Sequence, residues 1–267
     1  MKACFTFFRM RLINGLQYRT AAWAGVVTQF FWGFMEVLLY KAFYEASPGN
    51  FPMAFDALVS YIWLRQGLLA LLNTWTFEHD LFSMILSGNV AYELCRPASL
   101  YGMWVARTLA LRVSRVILRC IPLFIVSSLL PAPWGLNAPA SVGAFICFLV
   151  SLGLATCVGV VFCLILYFSC FYTLSSDGLR MMLMPVAELL SGDLIPLPFL
   201  PDWLAGLFHY SPFGSMANAP LRIYSGDLSG GAMIEMICLQ VFWLLALGMM
   251  GYLLQRRGTR KLCVQGG

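Results

Sequence analysis

Four charged residues interrupt stretches that are otherwise apolar: Glu36, Lys41, Arg65 and Glu188. A charge at the centre of a bilayer costs at least about 2.5–3.5 kcal/mol, so each must face protein or water rather than lipid. Two kinds of chemistry fit. Glu36 and Glu188, with Phe30, Phe31, Trp32 and Phe34 nearby in sequence, would line a polar path able to hold a cationic aromatic or amphipathic molecule. Alternatively, Arg65 pairs with Glu188 or Glu36 as a clamp between helices. Lys41 either snorkels to the surface or pairs with Glu45 one turn on.

Other chemistry is scarce. The two histidines, His79 and His209, are far apart in sequence. The chain contains no H-E-x-x-H and no G-x-S-x-G, and no nucleophile stands beside a plausible base. The phosphate-binding pattern G-x-x-x-x-G-K-S/T is also missing, so any ATP and Mg must be bound by another subunit. Cys157, Cys163 and Cys170 have no metal-ligand spacing and read as small buried filler. The sequence therefore predicts neither an enzyme nor a cofactor-bearing chain.

The elements that position these residues follow from composition. Of 267 residues, 60% are hydrophobic and 11% charged, with a mean hydropathy of +0.79. Soluble domains carry roughly 25% charged residues. The pattern predicts an all-α polytopic membrane protein forming a single transmembrane domain over residues 1–267. Windows of about 20 apolar residues place six transmembrane helices at 21–44, 55–75, 113–130, within 138–172, 178–195 and 233–254. The fourth region is too long for one upright crossing. It reads as one tilted helix or as a span plus a surface segment.

Residues 1–20 lack the basic start and apolar core of a cleavable signal. They read as an interfacial helix with Phe5, Phe8, Leu12 and Leu16 toward lipid, or as an extension of the first span. Lys2, Arg9, Arg11 and Arg19, then Arg96 to Arg119, Arg180 and the tail from Arg256 to Lys261, all fall on one side. Glu45, Asp56, Asp193, Asp202, Asp227 and Glu235 fall on the other, with Arg222 the one clear cation. The basic side is expected to be cytoplasmic. Both termini are then inside, and the chain is expected to be a multi-pass protein of the plasma (cytoplasmic) membrane. Cys4, Cys95 and Cys263 would be cytoplasmic, and no disulfide is expected. Arg112, Arg115 and Arg119 recur at three and four residues, a helical stripe suited to anionic headgroups or a protein partner rather than nucleic acid.

Two segments stand apart. Residues 76–100 form the longest polar-rich cytoplasmic loop. Within it Asp80, Phe82, Met84 and Ile85 lead to Ser87 and Gly88, a helix ended by a glycine C-cap. Glu93, Arg96 and Pro97 set the entry to the third span. Such a short amphipathic helix either lies on lipid or is gripped by a partner groove. Residues 193–230 are broken by Pro196, Pro198, Pro201, Pro212 and Pro220 into short apolar pieces. They read as outward re-entrant helices, because irregular backbone survives at membrane depth only against protein or water, or as an ordinary outer loop lying on lipid. Pro196, Phe199, Pro201, Trp203, Phe208, Tyr210, Pro212 and Phe213 would form an outer gate there.

Several motifs in order carry a resemblance. Asn14-Gly15-Leu16-Gln17-Tyr18-Arg19 precedes the first span, and Leu39-Tyr40-Lys41-Ala42-Phe43-Tyr44 ends it. Ser87-Gly88-Asn89-Val90-Ala91-Tyr92-Glu93-Leu94-Cys95-Arg96-Pro97 follows the second. Leu190-Ser191-Gly192, Ile195-Pro196 and Leu200-Pro201-Asp202-Trp203 follow the fifth. Ser211-Pro212-Phe213, Pro220-Leu221-Arg222-Ile223-Tyr224-Ser225-Gly226 and the terminal Val264-Gln265-Gly266-Gly267 complete the set. Nearly end to end, the chain resembles permease subunits of type-2 ATP-binding-cassette (ABC-2) exporters, in the six-span viologen-exporter-like group. The resemblance implies two permeases, identical or paralogous, working with two cytoplasmic ATPase subunits. It also implies that residues 76–100 hold a coupling helix through which ATP-driven closure reaches the spans.

Overall fold

The computed structural model describes residues 2–17, 19–47, 49, 51–173, 175 and 177–261, with backbone alone at 19, 21 and 261. Tyr18, Cys263 and the terminal motif 264–267 lie outside the described residues. Among those described, every regular element is helical. In order they are α1 (Lys2–Gly15), α2 (Arg19–Ala46), α3 (Phe55–Leu72), α4 (His79–Leu86), α5 (Val90–Leu94) and α6 (Leu100–Leu129). There follow α7 (Val142–Ser169), α8 (Asp177–Leu190), a 3-10 turn at Leu197–Phe199, α9 (Asp202–His209), α10 (Asn218–Ser225) and α11 (Gly230–Gly258).

Four helices are long and apolar enough to cross a membrane: Ala22–Ala46 of α2, then α3, α7 and α11. The chain is thus a membrane-embedded helical protein. The region that reads ambiguously in sequence is one unbroken helix, α7, about 42 Å long at 1.5 Å per residue. Ser141 opens it by accepting from Ala144 N at 3.0 Å.

Two of the six expected spans differ. The third is the distal part of the 30-residue α6, which starts at Leu100 and carries Arg107, Arg112, Arg115 and Arg119, too polar to qualify on composition. The expected fifth span ends early. α8 has 14 residues, about 21 Å, and stops at Leu190 rather than near 195. Gly192 adopts φ +77°, the left-handed conformation that ends a helix, and Pro196 and Pro198 beyond it withhold amide donors, so the backbone turns instead of continuing.

Contacts order the bundle from end to end. At one end α1 packs along the first half of α6, and Phe77 and Phe82 meet Tyr167 near the close of α7. Arg180 at the start of α8 lies over the same Phe77 and Phe82 rings. At the other end Phe199 meets Tyr40 and Phe51, and Tyr224 meets Phe145 and Phe148. The path from α8 to the 3-10 turn therefore runs the length of the bundle as a broken helix. In its non-helical middle Ser191, Gly192 and Asp193 are buried, and protein bonds the first two: Tyr61 Oη donates to Gly192 O at 2.9 Å, and Asn218 N donates to Ser191 O at 3.1 Å.

α3 forms the centre of the bundle, with 78% of its apolar window buried, against 28% for α2 and 17% for α11. It packs against α2, α6, α7 and α10. Gly33 and Gly67 give the clearance. A side chain at Gly33 would meet Trp63, and one at Gly67 would meet Phe124. α1 divides its faces between α6 and the surroundings. Phe5 is exposed, but Phe8, Leu12 and Leu16 are half-buried, and Cys4 and Phe7 of the adjoining stripe pack on the core. The competing surface was α6, whose partners a sequence pattern does not reveal.

Candidate functional site

The segment α4–α5 packs as a block on α6 and α7. Leu81, Phe82 and Ile85 occupy one side of α4 at helical spacing and are buried among Trp104, Val158, Phe162 and Tyr167. Gly88 adopts φ +75°, the left-handed conformation that ends a helix and favours glycine. α5 follows at once, and its Glu93 is buried where Trp104 Nε1 donates to it at 2.5 Å. Tyr167 Oη accepts from Glu78 N at 2.8 Å.

Arg107 fastens the block. Its side chain is 4% exposed, paired with Glu78, and within 3.3 Å of Asp80. Burial pushes the Glu78 carboxyl above its ordinary range, while Arg107 and, next, Arg11 pull it down. Arg107→Gln should therefore destabilise the fold by about 3 kcal/mol, the scale of a broken buried pair. The deprived Glu78 would hold its proton more tightly folded than unfolded. The variant's stability should then fall as pH rises from the acidic range, which thermal unfolding at acidic and neutral pH will read.

The expected coupling residues divide in two. Phe82, Ile85 and Glu93 face inward, and Met84 is half-buried with its sulfur near Arg107. Asp80, Ser87, Arg96 and Pro97 are exposed, whereas Gly88 is half-buried. The apolar groups left outward are Leu86, Leu94 and Tyr92, the last 75% exposed. The apolar stripe that marks α4 in sequence is thus spent on this chain's own core.

Glu36 and Glu188 both lie within reach of Arg65 on α3, and Lys41 does not join them. Arg65 is ion-paired with Glu36 of α2, the two side chains 10% and 14% exposed. This is the arrangement of a clamp. Glu188 is not in that ion pair but lies near enough for Arg65 and Asp193 to act on it, and its carboxylate meets Trp75. Asp193 is also buried near Arg65, and its Oδ1 has no hydrogen-bond partner among the described residues; neither side-chain atom of the buried Asn218 has one either. Around the clamp, Phe30 stacks on Trp63 and Phe34 meets Trp134, while Phe31 and Trp32 point outward. Lys41 lies 4.3 Å over the Trp134 ring and 3.5 Å from Glu45.

The proline-broken segment dips into the bundle and returns. α9 leads to Tyr210, whose carbonyl accepts from Trp243 at mid-α11, and Phe213 meets Phe162 of α7 at 5.4 Å. Gln240 of α11 donates to Ser151 O and Ser215 O, and α10 then climbs back with Ala219, Leu221 and Ile223 fully buried. The expected gate residues differ in exposure. Phe208, Pro196 and Phe213 turn inward to differing degrees, Pro201 and Trp203 are exposed, and Pro212 is half-buried.

Arg112 corrects the basic stripe. It is fully buried, donating to Leu71 O at 2.8 Å and Asn73 O at 2.7 Å, and to Cys163 Sγ at 3.1 Å. It occupies the C-terminal end of α3, where unpaired carbonyls and the negative helix pole favour a cation. Sequence reasoning also missed Glu78, Trp104, Tyr167 and Tyr61 as site-forming residues. Their partners lie 11 to 131 positions away, with no spacing signal. Among the described residues no group of His, Cys, Asp and Glu is placed to hold a metal ion.

No family model matches this chain, and no curated protein does.

Proposed function

We propose that this chain is the permease subunit of an ATP-driven exporter of the ABC-2 type, moving a substrate out of the cytoplasm together with two ATPase subunits and a second permease. The observation that supports this best is the α4–α5 block. It sits between α3 and α6, is tied to α6 and α7 through Arg107, Glu93 and Tyr167, and holds Leu86, Tyr92 and Leu94 outward. A force applied to that surface would be passed to two long helices rather than absorbed by a loose loop. In this reading there are six crossings, with α6 and the broken α8 path completing the four apolar helices. Both termini and the block face the cytoplasm, as the Lys/Arg bias of that end requires.

The test is capture of the partner. The full chain, purified in mild detergent from its native membrane, should bring down a nucleotide-binding ATPase. Tyr92→Ala should reduce the captured ATPase at least about tenfold, as removing an interfacial aromatic anchor does, with the chain itself still folded. Substrate transport by the chain alone in proteoliposomes, without ATPase or ATP, would sink the reading. It would favour a secondary transporter or channel instead, for which the specific support is the buried Asp193 Oδ1 near Arg65 and the buried Asn218 side-chain amide, neither with a hydrogen-bond partner among the described residues.

A further inference from the structure

A cavity of about 600 Å³ opens where α1 and the start of α2 meet the end of α3 and the middle of α6. Arg11, Arg115 and Arg119 line it, with Glu78 as the single carboxylate, and Glu78 is already held by Arg107. Among the described residues none of these three arginines is in an ion pair. Glycines shape the space. A side chain at Gly15 would strike Ser114, and one at Gly25 would strike the Arg119 guanidinium, so both helices approach α6 closely here.

The rest of the wall is amphipathic. Asn14, Asn73 and Thr76 stand beside Ala22, Leu69 and Leu118. From this level two exposed apolar stripes run toward the far end of the bundle: Trp23, Val27 and Phe31 on α2, and Ile117, Ile121 and Ile125 on α6. A positive pocket at the end of lipid-facing tracks has the layout of an anionic headgroup over its acyl chains.

We propose that this cavity binds a phosphate-bearing anion, held by Arg11, Arg115 and Arg119. Guanidinium forks match phosphate oxygens and are weakly hydrated, so they bind such groups better than an ammonium does. The volume lies within the range of ordinary ligand sites. The assignment does not depend on the exporter reading, because it needs only a membrane-embedded chain with this cavity.

Native mass spectrometry on the delipidated full chain in neutral detergent tests it, with dioleoylphosphatidylglycerol and dioleoylphosphatidylcholine as probes. One phosphatidylglycerol should bind per chain, at least about tenfold more tightly than phosphatidylcholine. Arg115→Gln with Arg119→Gln should abolish that preference. Arg115→Lys with Arg119→Lys, which keeps the charge, should retain most of it and guards against misfolding. Arg256→Gln with Arg257→Gln, at the exposed end of α11, should leave it unchanged. Displacement by millimolar glycerol 3-phosphate would make the natural occupant a soluble phosphate compound, and failure to displace would make it a lipid. Equal binding of both lipids, or unchanged preference in the glutamine variant, overturns the site.

Discussion

Arg112→Met should destabilise the protein by about 3 kcal/mol or more, seen as a lowered midpoint of thermal unfolding in detergent. The side chain is fully buried, and its guanidinium bonds two carbonyls at the end of α3 and the sulfur of Cys163 on α7. Bonds from a charged donor contribute about 1.5–3 kcal/mol each, and an orphaned buried carbonyl costs about 1–3 kcal/mol. Methionine fills part of the volume but donates nothing. Losing a desolvated cation offsets some of the cost, yet this cation rests against the negative pole of α3, which lowers that gain. Arg112→Lys should recover part of the loss, since an ammonium supplies donors without the fork. Unfolding of Arg112→Met indistinguishable from that of the native chain would show that the staple contributes nothing.

The second large effect is expected at the α2–α3 clamp. Arg65→Leu leaves Glu36 without its counter-ion, near Asp193, whose Oδ1 has no hydrogen-bond partner among the described residues. Breaking one side of a buried pair costs about 3–5 kcal/mol. The yield of monodisperse protein should fall sharply. Glu36→Gln combined with Arg65→Leu should recover much of it, because no unpaired charge then remains at that contact. Glu188→Gln separates the readings further, since Glu188 stands outside the ion pair. Folded protein with lost transport in Glu188→Gln would mark a path residue. Unchanged transport and folding would remove Glu188 from both roles.

These residues show how far the sequence reaches. Glu36 and Arg65 stand out because a charge in hydrocarbon demands a partner, and that demand is local to each position. Which carboxylate answers Arg65 is not local, and the structure selects Glu36 by packing α2 on α3. The α4 helix is equally legible from its apolar spacing and Gly88, yet the same stripe invited a partner groove when its groove is α6 and α7 of this chain. Arg107, Arg112, Arg115 and Arg119 look alike in sequence. In the fold, two are buried against carboxylates or carbonyls, and two line an open cavity. Likewise, Phe5, Phe8, Leu12 and Leu16 form one stripe by periodicity, but only Phe5 is exposed, because α6 covers the adjoining face.

The sequence by itself determined that the chain is helical and membrane-embedded, and that a proline-broken segment follows the fifth apolar stretch. Those properties follow from apolar content, charge placement and proline, each of which acts within a turn or two of chain. Only the tertiary structure decided that the fifth apolar stretch is a 14-residue helix followed by bonded irregular backbone, and how far each residue of the proline-broken pieces turns inward. It also decided which arginines are fasteners and which face a cavity. The reason is physical: desolvation and hydrogen-bond satisfaction depend on neighbours tens of residues away, and no periodicity encodes them.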